Sequence, residues 1–371
     1  MVFTSNSNLD EDLDVPIGQP VDVDGVQVRY FEREEHVKRW LSFIPYLSKS
    51  MGFLYSPMMR SQLESVIPTV QVVHTHMPFV YPTYAAAHAA FRHRKPLFYH
   101  QRAAFDPGRL RFRSLKKRLY IAAIERPIMQ RATTLIALTD AERASYRSLG
   151  VSTPCRIIPN GIDVTQYDPS PRPDIAARWR IAPGAVVILF LGRLHPIKGA
   201  DKLLRAFLQI QARFPQIVLV MAGPDEWGLE RRFRGMVHQA GVTDRVIFPG
   251  MVGGTDKRDL LSRADLFCLP SDAEGFSMAI LEALASATPV LLSPGCHFPE
   301  TEAAGVGRVA SAEPSALASA LAEMLEHPGE LRHMGLRGRE FVARNYSWDR
   351  VTDEMLETYV EGIVRLQGAG R

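Results

Sequence analysis

At 371 residues the chain exceeds one ordinary core and fits two domains of about 150–200 residues each. Hydrophobic residues make up 46% and charged residues 23%, with Gly and Pro at 26 each, which excludes disordered and fibrous classes. The net charge is only +4, and Cys155, Cys268 and Cys296 stand far apart with no CxxC and no histidine at metal-ligand spacing, so neither a disulfide framework nor a zinc site is expected. All three cysteines read as packing residues. The N-terminal stretch Met1 to Asn8, followed by Asp10, Glu11, Asp12 and Asp14, lacks a basic segment leading into an apolar one, so no secretory signal is read there. The longest apolar runs, such as Ala185 to Leu191, fall short of the roughly 18–20 residues that span a bilayer. A cytoplasmic protein is expected.

Short β-rich apolar runs alternate with amphipathic stretches of helical length, the pattern of an α/β chain whose parallel sheets are covered on both faces. In the first half the expected strands are Val70 to Val73, Leu97 to Tyr99, Thr134 to Ala137 and Arg156 to Ile158. Helices are expected over Pro82 to Phe91 and, long and basic, over Ser114 to Gln130. Residues 91–132 carry twelve Lys and Arg against only Asp106 and Glu125. Such a patch is either a solvated helix face or a surface for anionic lipid or an anionic acceptor; without interleaved aromatics, nucleic acid is not expected. Asn160-Gly161 suits a turn with positive φ, and the Pro-rich run Asp168 to Pro173 marks a domain boundary.

After residue 180 the pattern sharpens. Ala185 to Phe190 is continuous, β-branched and bounded by Gly184 and Gly192, as a strand buried on both faces should be. Apolar residues within Lys202 to Phe214 fall on one helical face. Strands at Ile217 to Met221, Val246 to Phe248, Leu266 to Leu269 and Pro289 to Leu292 then alternate with helices at Glu230 to Gln239, Asp256 to Ser262 and Met278 to Ser286. A last helix, Trp348 to Leu366, has no strand after it.

Two loops carry candidate chemistry. Gly192-Arg193-Leu-His-Pro-Ile-Lys198-Gly199 follows a buried strand and precedes a helix, so two cations and two glycines can wrap a diphosphate. Ser271 to Ala285 repeats the strand, Gly-containing turn and helix start, which presents unpaired backbone N–H groups to an anion. Within it Glu282 lies inside an apolar run and needs a partner, either a ligand hydroxyl or an internal cation. Glu274 beside the turn is either a ligand group or an acid favoured by the helix dipole. No DxD-like acidic pair stands in a suitable loop, so a metal is not expected at this site.

GRLHPIKG, the Glu274 and Glu282 pair, the run FCLPSDAEGFSMAILEALASATPVL and IIPNGID at 157–163 together resemble the retaining glycosyltransferases of family 4, group 1, with the GT-B fold. The likeness covers roughly residues 65–360. It implies two Rossmann-like domains facing a central cleft: an acceptor-side domain at 1–168, a nucleotide-sugar-binding domain at 169–345, and a C-terminal helix at 346–371 crossing back. It implies that Gly192, Arg193 and Lys198 hold the donor pyrophosphate, that Glu282 takes the ribose hydroxyls, and that Glu274 with the backbone at Gly275, Phe276, Ser277 and Met278 holds the donor sugar. His76, in Val72-Val-His74-Thr-His76, matches the second histidine of the family's H-x-H and is expected near the anomeric centre. It implies a nucleotide-diphosphate sugar as donor, and no cofactor is expected. The acceptor that the resemblance implies is a polysaccharide or lipid-linked glycan precursor, and peripheral contact of residues 91–132 with an anionic membrane stays open beside the solvated-face reading.

The chain departs from the pattern twice. It begins at a strand, Val2-Phe3-Thr4, that stands later in the family, so the first βα unit with its Gly-Gly loop is expected to be missing. Where relatives have Arg-Gly, this chain has Arg102-Ala103-Ala104, so a position wanting positive φ would be strained. The first departure keeps open a non-catalytic membrane-surface adaptor, and the shared fold keeps open a nucleotide-sugar epimerase or phosphorylase.

Overall fold

The computed structural model describes residues 1–8, 11–33, 54–106, 110, 114–170 and 178–369. The chain divides into two compact units, Met1–Ile158 with Glu354–Arg371, and Pro159–Asp353. Arg109, Arg111 and Arg113 of the basic stretch, and Pro171 to Pro173 of the Pro-rich run, lie outside the described residues.

Besides a short antiparallel pair of Ser7–Asn8 with Glu11–Asp12, the described residues of the first unit form two sheets. Strands β1 (Val2–Ser5), β2 (Pro20–Val23) and β3 (Val26–Phe31) form the smaller one, in which β3 runs parallel to β1 and antiparallel to β2. The larger comprises β4 (Val73–His76), β5 (Leu97–His100), β6 (Thr134–Ala137) and β7 (Cys155–Ile157), all parallel and adjacent in chain order. β4 starts where the expected strand was to end. Val70 closes a 3-10 turn over Ile67–Thr69, so pairing begins three residues later and carries both histidines into the strand. Helices α1 (Pro57–Val66) and α2 (Tyr81–Arg92) pack with them, α1 starting on a Ser56 hydroxyl that accepts from the Met59 N–H. The long basic helix is interrupted: α3 (Ser114–Tyr120) and α4 (Arg126–Arg131) flank one π turn over Ile121–Glu125.

That π turn points Glu125 inward. The carboxylate is 2% exposed and accepts 2.6 Å hydrogen bonds from the Phe79 N–H and the Tyr99 hydroxyl. Burial raises its pKa, against the pull of those two donors. The native carboxyl therefore holds its proton to higher pH than the unfolded one, and its contribution favours the fold at acid pH and fades as pH rises through the native value. Glu125→Gln, which keeps the shape without the charge, should gain stability relative to wild type as denaturant unfolding is repeated from about pH 4 to 7. A constant difference across that window would overturn this account.

The second unit is a single six-stranded parallel sheet: β8 (Val186–Leu191), β9 (Ile217–Ala222), β10 (Val246–Gly250), β11 (Leu266–Leu269), β12 (Val290–Leu292) and β13 (Gly307–Val309). Its spatial order is β10-β9-β8-β11-β12-β13, so the chain winds outward from β8 in one direction, then returns and winds outward in the other. The strands that read as unbroken apolar runs are buried on both faces, as Ile217 to Ala222 shows throughout. Helix α5 (Ala200–Ile210) buries Leu203, Leu204 and Phe207 against them. Neither Asn160 nor Gly161 takes a positive φ, contrary to expectation; a Cβ at 161 would lie 2.6 Å from the Trp348 ring, so close packing accounts for the glycine. The last helix, α6 (Trp348–Ala369), opens in the second unit and from Glu354 belongs to the first.

Candidate donor site

The doubly wound order has one switch point, between β8 and β11, where loops from neighbouring strands diverge and leave a crevice at the carboxyl edge. Both motif loops leave from there. Gly192 and Arg193 follow β8 directly and lead through a 3-10 turn, Pro196–Lys198, into α5. Pro270 to Ser277 follow β11 and lead into the helix Met278–Ala285.

The two loops are fastened to each other by backbone. The Asp272 N–H and the Ser271 hydroxyl each donate to the Ile197 carbonyl at 2.8 Å. Gly199 sits at φ +71, where a Cβ would lie 2.1 Å from the Pro270 carbonyl oxygen. The Met278–Ala285 helix begins at Ser277, whose side chain makes no capping bond, so its first N–H groups are available to an anion.

The charged residues meet in pairs. Lys198 Nζ lies 2.6 Å from Glu274 Oε1, with the Glu274 side chain 6% exposed. Lys257 Nζ lies 2.7 Å from Glu282 Oε1, and the Tyr167 hydroxyl donates to the same oxygen at 3.2 Å. This answers the need of a carboxylate buried in an apolar helix. Arg193 is more open and pairs with Glu226 at 2.8 Å. Gly275 to Met278 are half-buried; the Phe276 ring packs toward Phe298 and Tyr346, which leaves its backbone rather than its side chain for a ligand. Gly192, Arg193, Lys198, Glu274 to Met278 and Glu282 all belong to the second unit.

His76 belongs to the first, at the end of β4, where a turn with positive φ at Met77 and Phe79 begins. The Thr83 hydroxyl donates 2.7 Å to the Met77 carbonyl, and Glu125 holds the Phe79 N–H, so the strained turn is tied on both sides. Arg102 Nε lies 3.3 Å from His76 Nδ1. Loss of water around the ring on burial, then the Arg102 charge, lowers the His76 pKa to about 4, so the imidazole is neutral at physiological pH. Arg102 and Ala103 themselves stand at φ +51 and +61, where the sequence led one to expect strain in place of a glycine.

Two family models match in succession. Glycosyltransferase Family 4 covers residues 20–166, and Glycosyl transferases group 1 covers 171–341. The second of these stretches carries the likeness to the group 1 glycosyl transferases. A D-inositol 3-phosphate glycosyltransferase of Actinosynnema mirum is 32% identical over 63% of this chain, a stretch that spans 59% of that relative's length. HepE of Anabaena, solved with UDP and glucose, superposes with a TM-score of 0.68 at 20% identity, covering 90% of this chain and 86% of that one. A Burkholderia multivorans α,α-trehalose 6-phosphate synthase gives 0.70 at 14% identity, over 100% and 98%. Both structural likenesses establish the fold: α/β, GT-B, with two Rossmann-like domains.

Three side chains of the site escaped sequence reasoning: Lys257, Tyr167 and Glu226. Lys257 did have a signal, since Glu282 demanded a cation and Lys257 opens the helix after β10. Tyr167 and Glu226 lie in loops whose path the sequence does not reveal. Within the basic stretch, Arg92 pairs with Glu64, Arg131 stacks on Phe91 and Arg102 faces His76, so part of its charge is spent locally. Among the described residues no helix is long and apolar enough to cross a membrane.

Proposed function

We propose that the protein transfers a sugar from a nucleotide-diphosphate sugar to an acceptor with retention of anomeric configuration. The observation that carries this reading is the placement of both motif loops at the single switch point of a doubly wound sheet. Arg193 and Lys198 hold the pyrophosphate, Glu282 the ribose hydroxyls, and Glu274 with the backbone of Gly275 to Met278 the sugar, while His76 serves near the anomeric carbon. As the glycosidic bond to the leaving phosphate breaks, negative charge grows on the nucleoside diphosphate. The two cations and the uncapped helix start stabilise it. Breaking that bond passes through an oxocarbenium-like transition state, by analogy with retaining glycosidases. HepE binds UDP and glucose, which makes UDP-sugars the first donors to try.

Losing one charged hydrogen bond to the pyrophosphate costs about 1.5–3 kcal/mol, so Arg193→Ala should lower donor use about 10–100-fold. Its salt bridge is exposed, so the melting temperature without ligand should barely change. UDP, GDP and ADP are tested by thermal unfolding; ligand at 100 times its Kd stabilises by about 2.7 kcal/mol. Unchanged turnover in Arg193→Ala, or no nucleotide response in wild type, sinks the assignment.

The acceptor is proposed to be a polysaccharide or lipid-linked precursor, met by a cytoplasmic protein at the inner face of a membrane. Leu115 and Leu119 are 71% and 62% exposed one turn apart on α3, next to exposed Arg118, the arrangement of an interfacial helix. Binding to anionic vesicles at low salt should fall several-fold in Leu119→Ser; equal sedimentation of both forms with anionic and neutral vesicles would remove the membrane from this picture.

A further inference from the structure

His74 and His76 alternate with Thr75 on β4 and so share one face of the sheet. His100 ends β5 in register with His76, which puts a third imidazole on the same face. Each ring offers one nitrogen, and the three lie within 4.8 Å of one another. Among the described residues no other group of histidine, cysteine, aspartate or glutamate side chains is so placed. His100 is 2% exposed and neither of its ring nitrogens has a protein partner. His74 Nε2 is also buried without one, while its Nδ1 meets the Tyr359 hydroxyl at 2.6 Å. Buried ring nitrogens without partners are costly, and a ligand shared by His74, His76 and His100 would relieve that cost once the stacked rings, 4.2 Å apart for His74 on His76 and 5.8 Å for His74 on His100, turn their nitrogens toward it.

We infer that His74, His76 and His100 form a binding site for a divalent ion of the Zn2+ class. Three neutral nitrogen donors select borderline transition metals over Mg2+ or Ca2+, which favour oxygen. Three nitrogens up to 4.8 Å apart lie at most about 2.8 Å from their common centre, so binding at 2.0–2.1 Å draws each inward by about 0.7 Å. Three protein ligands leave the fourth position to water or to a substrate oxygen. Tyr359 serves as the outer partner, holding Nδ1 of His74 so that Nε2 faces the metal. The site differs from the expectation of no metal because that rested on spacing along the chain, whereas adjacent parallel strands bring His100 beside His76 across the sheet.

Arg102 opposes the ion. Its guanidinium stands 3.3 Å from His76 Nδ1, so a cation and Arg102 compete for the same surroundings. A bound ion also takes His76 from a substrate, a consequence that rests on the transfer reading above; the binding itself does not.

The test uses the full chain and Co2+, whose visible absorption reports four-coordinate binding, with Zn2+ affinity measured by competition against a chromophoric chelator. Wild type should bind one equivalent. His74→Asn and His100→Asn should each weaken binding at least 100-fold, Tyr359→Phe about 10-fold, and Arg102→Gln should tighten it about 10-fold. Folding is checked by thermal unfolding without metal. Should the two histidine variants fail to fold, Tyr359→Phe and Arg102→Gln still move affinity in opposite directions. Absence of one-equivalent binding, or an affinity untouched by all four changes, overturns the site. Wild type that binds one equivalent yet transfers sugar equally well with and without Zn2+ would count against the role of His76 and leave the site standing.

Discussion

Gly199→Ala should lose about 2–5 kcal/mol of stability and with it the nucleotide response. Two penalties add. A non-glycine residue at φ +71 costs about 1–2 kcal/mol, and a Cβ 2.1 Å from the Pro270 carbonyl forces backbone apart, at about 1–3 kcal/mol. Gly184→Ala is the control: its φ is +74, but nothing lies within 4 Å of the added Cβ, so only the first penalty applies. Denaturant unfolding of the pair separates them. Equal losses would mean that the fastening between the two loops contributes nothing.

Lys198→Met should cost about 3–5 kcal/mol, because it leaves Glu274 buried and charged without its partner. Adding Glu274→Gln should restore most of that stability, since the uncompensated charge is gone. Sugar transfer should not return with it, as both groups are proposed to touch the donor. The double-mutant cycle therefore parts two roles that single variants confuse. A double variant as unstable as Lys198→Met would show that the pair is not coupled, and one that transfers sugar at the wild-type rate would remove both residues from the site.

Much of the second unit was legible because its strands are covered on both faces. Such a strand has no polar positions, so runs like Val186 to Leu191 stand out, and the glycines beside them mark where loops approach backbone closely. The first unit was harder. In β3 (Val26–Phe31) Gln27 and Arg29 interrupt the apolar residues, and neither this strand nor its hairpin partner was expected. β4 was placed three residues early because the expected strand followed the apolar run Val70 to Val73 and stopped before its two histidines. The π turn leaves no trace in composition: only the burial of Glu125 reveals why the helix needs an extra residue there. Within the candidate site, cations and carboxylates were readable one by one, but which pairs with which depends on loops crossing between strands.

The final helix bears on how the chain is made. His74 meets Tyr359 across 285 positions of sequence, and Gly362 presses so closely on Phe98 that a Cβ would lie 2.5 Å from its ring. A ribosome synthesises the strands of the first unit early and the helix that completes them last, with the whole of Pro159–Asp353 in between. The nascent first unit must therefore wait, its β4 and β5 face lacking Tyr359 and Gly362, while the second has every strand it needs to close. Birth order and folding order are thus opposed, and the later-made unit is the one free to mature first.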